Sequence, residues 1–393
     1  MSGKADLLKQ SPFVFSKSFI TTLLLQTAVL SIIFYGVYTL LVNTQANLEA
    51  RNIASGFGFL SLESGMPISN SLLPYSPTDS YGYAFLMGVF NTLYVAFFGI
   101  VLATLLGILI GVARVSGNWL VSKLAEIYVE VLRNIPLLLV LFFTYTIALA
   151  ALPIPRKSLN PFTGFFLNNR GIYFPRPIPE SGFWLVCLAV LAGIVTAFFI
   201  HRHATRLHRE TGRVIPSFTL GMIAIIATPA IAWWLTGGPM SWEYAVLKGF
   251  NFKGGLVIRP EFSALMTGLI LYTAAFIGEN VRSGIQSVGI GQINSSKALG
   301  LPPGLTMRKV VLPQALRVII PATTNDYTSL VKNSSLAVAI GYPDMVSIGG
   351  TIIGQNDQAI EVIALWMGVY MTINLVISLI MNWLNAKVQL IGR

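Results

Sequence analysis

The sequence predicts an all-α polytopic membrane protein with eight transmembrane helices. Of its 393 residues, 54% are hydrophobic and only 10% are charged, and the mean hydropathy is +0.70. Soluble domains carry about 25% charged residues. The apolar residues form repeated runs of about 20, the length that an α-helix needs to cross a bilayer. The composition therefore excludes an ordinary soluble domain.

The predicted spans follow one another along the chain and are separated by polar loops. The first is a retained N-terminal helix, because it follows a short basic segment and no small-residue cleavage site comes after it. In the second span, Gly107 and Gly111 form a small-xxx-small face that favours close helix packing. The spans are predicted at residues 18–42, 85–113, 121–152, 183–200, 218–237, 262–281, 326–352 and 359–384.

Two segments depart from this regular pattern. Pro136 should bend the third span, whose first part is expected to lie at the membrane interface. The loop 56–68 (GFGFLSLESGMPI) is either a surface element with Phe57, Phe59 and Leu60 dipping toward lipid or a plain external loop. The sequence leaves both interpretations open.

The basic residues predict the orientation of the spans. Eight spans put both termini on one side, and the loops of that side hold most of the Lys and Arg. Because positive residues stay inside, the termini and these loops are predicted to be cytoplasmic. This orientation accounts for the net charge of +11, so no nucleic-acid partner is expected. The basic loops contain Lys4, Lys9, Lys17, Arg114, Lys123, the cluster at 201–213, the segment 282–317, Lys387 and Arg393.

A long polar segment at 282–321 (RSGIQSVGIGQINSSKALGLPPGLTMRKVVLPQALRVIIP) carries its own helix signals. Residues 292–299 can form two helical turns, Gly300 can close them in the left-handed conformation, and the two prolines that follow forbid continuation. Thr306 is expected to cap a second helix. This pattern suits a projection that is presented to a partner, and an ordinary structured loop is the alternative.

The same segment resembles the cytoplasmic loop of ABC-importer membrane subunits. In that family the motif runs Glu-Ala-Ala, then Gly, then Ile-x-Leu-Pro, and Gly300, Leu312 and Pro313 match it here. The family's loop forms the coupling helix that docks on the ATPase subunit. The resemblance implies that the ATPase-coupling residues are Gln292, Asn294, Ser295, Ser296, Lys297, Ala298, Gly300 and Leu301.

Three further stretches are similar to signatures of the polar-amino-acid branch of these permeases. They are 128–145 (YVEVLRNIPLLLVLFFTY), 271–288 (LYTAAFIGENVRSGIQSV) and 330–341 (LVKNSSLAVAIG). Their order and spacing imply a type I ABC-importer permease fold, with a five-helix core and three additional spans. The additional spans and the loop 56–68 resemble the Q-type membrane subunits of general L-amino-acid importers.

The resemblance implies a division of the chain around that core. It consists of an N-terminal helix and periplasmic loop (1–84), a first part of the core (85–152), inserted periplasmic loops with two extra spans (153–260), and a second part of the core (261–393) that contains the coupling loop 282–325.

The resemblance also implies partners and a mechanism. In the family, two related permeases work with two ATP-binding subunits, and a periplasmic binding protein delivers an L-amino acid across the bacterial inner membrane. ATP and Mg²⁺ belong to the ATPase subunits, so no cofactor is expected in this chain. The ATPase movement would open the core helices by alternating access.

One departure from the family motif concerns the coupling helix. Asn294, Ser295 and Ser296 stand where the family has Glu-Ala-Ala. Asn lacks the negative charge that is favourable at a helix N-terminus. Each serine is a poorer helix former than alanine, by about a few tenths of a kcal/mol. We therefore expect a heterodimer in which an M-type companion permease carries the complete motif.

Polar residues inside apolar spans are the candidate substrate contacts. Asn333, Ser334 and Ser335 interrupt the seventh span, where broken backbone can line a cavity, and they can bind an α-ammonium and an α-carboxylate. Thr273 and Tyr145 lie on core spans and could line the path. Capping of a helix start is the alternative for the first three, and routine helix packing is the alternative for the last two.

The sequence lacks the motifs of an enzyme. It contains no phosphate-binding G-x-x-x-x-G-K-[ST] loop, no H-E-x-x-H and no zinc-type Cys/His spacing, and no metal site is expected from its three histidines. ATP hydrolysis would therefore reside in another chain. An ion-coupled secondary amino-acid transporter and a non-transporting membrane assembly subunit remain as alternatives.

Overall fold

The computed structural model describes residues 17–50, 56–69, 73–213 and 215–388. Lys4, Lys9 and Arg393, which contribute to the predicted orientation, lie outside the described residues. Within them, six helices are long and apolar enough to cross a membrane, or up to eight crossings if each of two bent helix pairs counts as one. The helices are α1 Lys17–Ala50, α2 Tyr81–Arg114, α3 Trp119–Asn134, α4 Leu137–Ala150, α5 Phe183–Thr211, α6 Ser217–Leu235, α7 Pro260–Gln286, α8 Ile290–Ala298, α9 Pro303–Thr306, α10 Leu312–Asn333, α11 Met345–Asn356 and α12 Ala359–Val388.

Helix α7 is the centre of the bundle, packed against α2, α3, α4 and α10. Its contact with α2 depends on glycines. A Cβ added at Gly111 would lie 2.5 Å from Cβ of Val281, and one added at Gly107 would lie 2.6 Å from Cβ of Ile277. The small-xxx-small face predicted for the second span is therefore where the backbones of α2 and α7 approach most closely.

The bend predicted at Pro136 and the predicted interruption of the seventh span are both present. The pair α3 and α4 turns by 108° at Pro136, so α3 lies across the direction of α4. The pair α10 and α11 bends by 54° at a break that follows a 3-10 helix, Ser334–Ile340. Helix α10 begins at Leu312, well before the predicted start at residue 326. The first half of α10 is amphipathic, and its buried side chains Ala315 and Ile319 pack against α7.

The loop 56–68 does not dip toward lipid as a unit. Phe59 is buried and packs with Tyr81 and Phe85 of α2 and with Met345 of α11, in a core that the 3-10 helix Phe57–Ser61 covers. Only Phe57 is exposed among the three side chains considered for lipid contact, since Leu60 packs against the same core. This apolar cluster explains why the loop folds onto the bundle.

The inserted region 153–260 corrects the expectation of an all-α chain with plain loops. It contains the α5–α6 hairpin and seven short strands, paired antiparallel as β1-β2-β7, β3-β4 and β5-β6. We call these strands and their turns the cap. Two of the pairings join segments from either side of the hairpin in the sequence, so the cap closes on itself. The strands are β1 Phe166–Asn168, β2 Gly171–Phe174, β3 Arg176–Pro179, β4 Met240–Glu243, β5 Val246–Lys248, β6 Asn251–Lys253 and β7 Leu256–Ile258.

Three sets of contacts identify the two ends of the bundle. At one end, Glu279 of α7 forms ion pairs with Arg114 of α2 and with Arg282. At the other end, the hydroxyl of Tyr81 donates to Gln355 at 3.0 Å, and the backbone N–H of Gly56 donates to Glu361 at 2.7 Å. The hydroxyl of Tyr145 donates to Glu261, at the start of α7, at 3.4 Å. The cap lies at this second end, since it leads directly into α7.

We predict that Gly111→Ala destabilises the bundle. The added Cβ would overlap the Val281 side chain, and overpacking of this kind costs about 1–3 kcal/mol. The measurement is the temperature at which half of the detergent-purified protein loses its monodisperse gel-filtration peak. The matched control is Gly36→Ala in α1, where an added Cβ meets nothing within 4 Å. Equal transition temperatures for the two variants would contradict the role of the α2–α7 contact.

Candidate functional site

The segment 290–311, which we call the knob, is a helical hairpin at the Glu279 end of the bundle. Helix α8 ends at Ala298 with Leu299 as its C-cap, and Gly300 adopts the left-handed conformation with φ of 72°. The N–H of Leu301 donates to Ser296 O at 3.1 Å and the N–H of Gly300 donates to Lys297 O at 2.9 Å. This double hydrogen bond is the Schellman motif, and it confirms the predicted helix stop.

The second arm of the knob starts earlier than predicted. Pro302 and Pro303 begin helix α9, and Thr306 lies inside the helical turns with φ of −56° and caps nothing. A proline pre-organised at a first helical position starts the helix without a side-chain cap. A π-helical turn, Met307–Val311, then leads without interruption into α10, whose second residue is Pro313.

The knob is braced by a buried pair of hydroxyls. Ser296, only 3% exposed, donates to Ile293 O at 2.7 Å and lies 3.2 Å from the hydroxyl of Thr306. Ser296 therefore joins the two arms of the knob and is buried inside it, whereas the other predicted coupling residues are more accessible. Val288 and Val311 bury the base of the knob against α7 and α10.

The remaining coupling residues divide by exposure. Leu301 is half-buried at the hairpin turn. The exposed ones are polar or small, and two exposed apolar side chains that the sequence reasoning missed stand at the two ends of α8, Leu299 at 80% exposure and Ile290 at 76%. Large apolar residues in an otherwise polar segment were the available signal. The exposed coupling residues are Gln292, Asn294, Ser295, Lys297, Ala298 and Gly300.

The candidate substrate residues lie at two different depths. Tyr145 reaches Glu261 near the start of α7, whereas Thr273 is twelve residues further on, about 18 Å along the helix axis. Thr273 and Ser334 are at one level, because Ile277 clusters with Leu330 on one side of them and Leu269 clusters with Ala337 on the other. The structure therefore does not bring Tyr145 and Thr273 into one site.

The two serines at the break in the seventh span form hydrogen bonds to nearby backbone carbonyls. The hydroxyl of Ser334 is fully buried and donates to Val331 O at 2.7 Å, and that of Ser335 donates to Lys332 O at 2.6 Å. Both residues serve the junction between α10 and the 3-10 helix, which favours a capping role over substrate contact. Asn333 is half-buried, and its side chain makes no hydrogen bond to a described residue.

The turn after this break is clamped to α2. The amide of Asn91 donates to Pro343 O at 2.8 Å, and the N–H of Met345 donates to the hydroxyl of Thr92 at 3.0 Å. Asp344 caps α11 by accepting from the N–H of Ser347 at 2.8 Å. Backbone that leaves the helix inside a membrane protein needs such partners, because lipid offers none.

A family model described as binding-protein-dependent transport system inner membrane component matches residues 186–390. The chain belongs to this family. The permease is 47% identical over 352 residues to the putative amino-acid ABC transporter permease protein YhdX of Escherichia coli, with 89% of this chain and 90% of the relative covered.

Two further relatives cover almost the whole permease. The general L-amino acid transport system permease protein AapQ of Rhizobium johnstonii is 44% identical over 371 residues, which are 92% of this chain and 93% of the relative. The glutamate/glutamine/aspartate/asparagine transport system permease protein BztB of Rhodobacter capsulatus is 36% identical over 398 aligned positions, with 93% of each chain covered. The resemblance inferred from the sequence motifs is confirmed.

We predict that Gly300→Ala loosens the knob. A non-glycine residue in the left-handed conformation costs about 1–2 kcal/mol, which raises the local opening equilibrium about 5- to 30-fold. Amide hydrogen exchange in peptides covering 290–306 should accelerate accordingly. Gly304→Ala is the matched control in the same hairpin, since Gly304 has an ordinary φ and open space around it. Equal exchange in the two variants would contradict this account of the knob.

Proposed function

We propose that the permease carries L-amino acids across the bacterial inner membrane as the Q-type half of an ATP-driven importer. An M-type companion permease completes the membrane dimer, and two ATP-binding subunits and a periplasmic amino-acid-binding protein complete the complex. The names of AapQ and BztB, which are permeases of amino-acid transport systems, support this substrate class. ATP and Mg²⁺ bind the partner ATPase, and this chain needs no cofactor of its own.

The observation that carries the proposal is the outer surface of the knob. Leu299 and Ile290 project from a rigid polar hairpin at an end of the bundle where Lys297, Arg308 and Lys309 are also exposed. Exposed apolar side chains rimmed by polar ones are typical of a protein contact. We assign this surface to the ATPase, so that the closing movement of the ATPase is transmitted through the knob to α7 and α10.

The topology that goes with this function has eight crossings and a cytoplasmic knob. Each bent helix pair then counts as one crossing, and the two ends of the bundle alternate along the chain. The basic residues of α5 beyond residue 200 and those of the knob fall on the same side, as the positive-inside rule requires. Both termini are cytoplasmic in this arrangement. The cap also carries basic residues, but long translocated loops count little in that rule.

We assign the five-helix permease core to residues 85–152 and 261–393. Within this core the substrate path runs between α7 and the 3-10 helix Ser334–Ile340. Asn333 is the candidate for direct contact because its amide is half-buried and uncommitted. Ser335, Thr273 and Tyr145 would shape the path around it, with Tyr145 nearer the periplasm. Alternating access then consists of rocking α7 and α10 under the push of the knob.

We predict that Leu299→Asp abolishes ATP-driven uptake of L-glutamine and co-purification of the ATPase chain. A carboxylate in place of the central apolar contact cannot be buried without a cost of several kcal/mol, roughly the penalty for an unpaired buried charge. The measurement is uptake in membrane vesicles that contain the complete importer. Leu62→Asp is the matched control, an exposed leucine at the opposite end of the bundle. Normal uptake by Leu299→Asp would contradict the assignment of the knob as the contact with the ATPase.

The same vesicles separate the rival functions. Collapse of the proton and sodium gradients at constant ATP should leave uptake intact, whereas an ion-coupled transporter would stop. A non-transporting assembly subunit predicts that deletion of this chain leaves uptake unchanged wherever the companion permease is still inserted.

We predict that Asn333→Asp raises the ratio of arginine to leucine uptake about tenfold, because a charge-assisted hydrogen bond to a cationic side chain is worth about 1.5–3 kcal/mol. Initial uptake rates at equal concentrations of the two amino acids, each presented on its saturated binding protein, measure that ratio. The control is Asn325→Asp, an exposed asparagine on the same helix α10. An unchanged ratio would rule out contact between residue 333 and the substrate.

A further inference from the structure

A polar cavity of about 550 Å³ lies between the cap and the bundle. Its walls come from three places: the turn between β1 and β2, the turn between β6 and β7, and the first residues of α7. Leu149, one turn beyond Tyr145 on α4, lines its inner side. The cavity therefore borders α4 and α7, the helices that carry Tyr145 and Thr273 of the proposed path.

The charged side chains of this cavity match the two ends of an amino acid. Arg170 and Arg259 line it together with Glu261, and neither arginine makes an ion pair with a described carboxylate. Glu261 accepts one hydrogen bond, from Tyr145 at 3.4 Å, which leaves most of its acceptor capacity free. Arg170 is exposed, and Arg259 and Glu261 are half-buried, so all three charged groups are accessible to a ligand of opposite charge in the cavity.

A second observation points to a missing donor. Oδ1 of Asn169 is buried at the edge of the cavity and has no hydrogen-bond partner among the described residues. Buried acceptors are nearly always paired in folded proteins. An ammonium group carries three donors, so it could pair with Glu261 and, after a rotation of the Asn169 amide toward the cavity, with this oxygen as well.

The part of the cavity wall formed by β2, β6 and the β6–β7 turn is held in place by a hydrogen bond and by close backbone packing. Burial raises the pKa of Tyr173, so its phenol stays protonated and donates to Oδ1 of Asn251 at 3.0 Å. Gly254 and Gly255 both adopt the left-handed conformation, with φ of 79° and 69°. A Cβ at Gly255 would lie 2.9 Å from Phe174 O, so the β6–β7 turn is drawn tightly against β2.

We propose that this cavity is a vestibule site for a free zwitterionic L-amino acid, a claim that rests on the proposed transport function. The α-carboxylate pairs with Arg259 and Arg170, and the α-ammonium pairs with Glu261 and Asn169. The volume lies within the range of about 300–1,000 Å³ that small-molecule sites occupy. The vestibule holds an amino acid that has left the binding protein and has not yet entered the span, next to Tyr145.

The test uses the complete importer in lipid nanodiscs, with Cys187→Ser as background so that introduced cysteines are the only thiols of this chain. Val257→Cys places a thiol in the cavity wall, and Val246→Cys places one on exposed strand β5 outside it. A membrane-impermeant anionic thiol reagent labels both, and the rates are measured with increasing L-glutamine. The expected result is that L-glutamine protects Val257→Cys and leaves Val246→Cys unprotected.

Arg259→Gln in the Val257→Cys protein should raise the L-glutamine concentration for half-protection about tenfold, the loss expected for a charge-assisted pair. Arg259→Lys keeps the charge and should give a smaller shift. Arg176→Gln, an exposed arginine of β3 outside the cavity, should give none. Absence of protection at millimolar L-glutamine, or protection that Arg259→Gln leaves unchanged, overturns the vestibule.

Uptake of L-glutamine by the Cys187→Ser importer in proteoliposomes reports the proposed function separately. Uptake without protection rejects the vestibule and supports the transport function. Protection without uptake supports the vestibule as a binding site and contradicts the transport function.

Discussion

The close approach of α2 and α7 is the constraint on which the rest of the permease depends. Two glycines of α2 let the backbones meet, and the knob and the cap are attached to the two ends of α7. The knob follows its C-terminal end, next to the ion pairs of Glu279. The cap cavity lies at its N-terminal end, next to Glu261. A displacement of α7 by the knob would therefore move the walls of the cavity as well, because α7 is packed on several sides and cannot bend freely.

The sequence predicted those parts of the fold that depend on local chemistry. Pro136 and Gly300 act where they stand, because a proline or a left-handed glycine restricts the backbone whatever surrounds it. The long apolar helices were equally readable. The start of α10 was missed because its first half is amphipathic and contains Pro313 and Pro321, so it lacks a continuous apolar run. The cap strands were missed because strands of three or four residues carry almost no periodic signal.

The candidate site shows the same limit. Ser296 stood in the expected place in the coupling helix, but only the folded hairpin reveals that its hydroxyl is turned inward to Thr306. Ser334 and Ser335 were predicted to contact substrate because they are polar groups inside a span. In the structure their hydroxyls donate to backbone carbonyls three residues earlier. Arg170, Arg259 and Glu261 form no motif in the sequence, because the whole α5–α6 hairpin separates Arg170 from the other two. Their meeting is a product of strand pairing, which single-residue patterns do not encode.

The pairing of β3 with β4 places Pro179 directly opposite Met240. The chain thus leaves the cap to form the α5–α6 hairpin and returns to the point of departure, with no net displacement. A genetic event could add or remove these two helices as a unit while leaving the register of every other strand and the seating of α7 untouched. Permeases with and without this hairpin can in that way share the same helical core. The hairpin can then evolve in response to its own membrane surroundings.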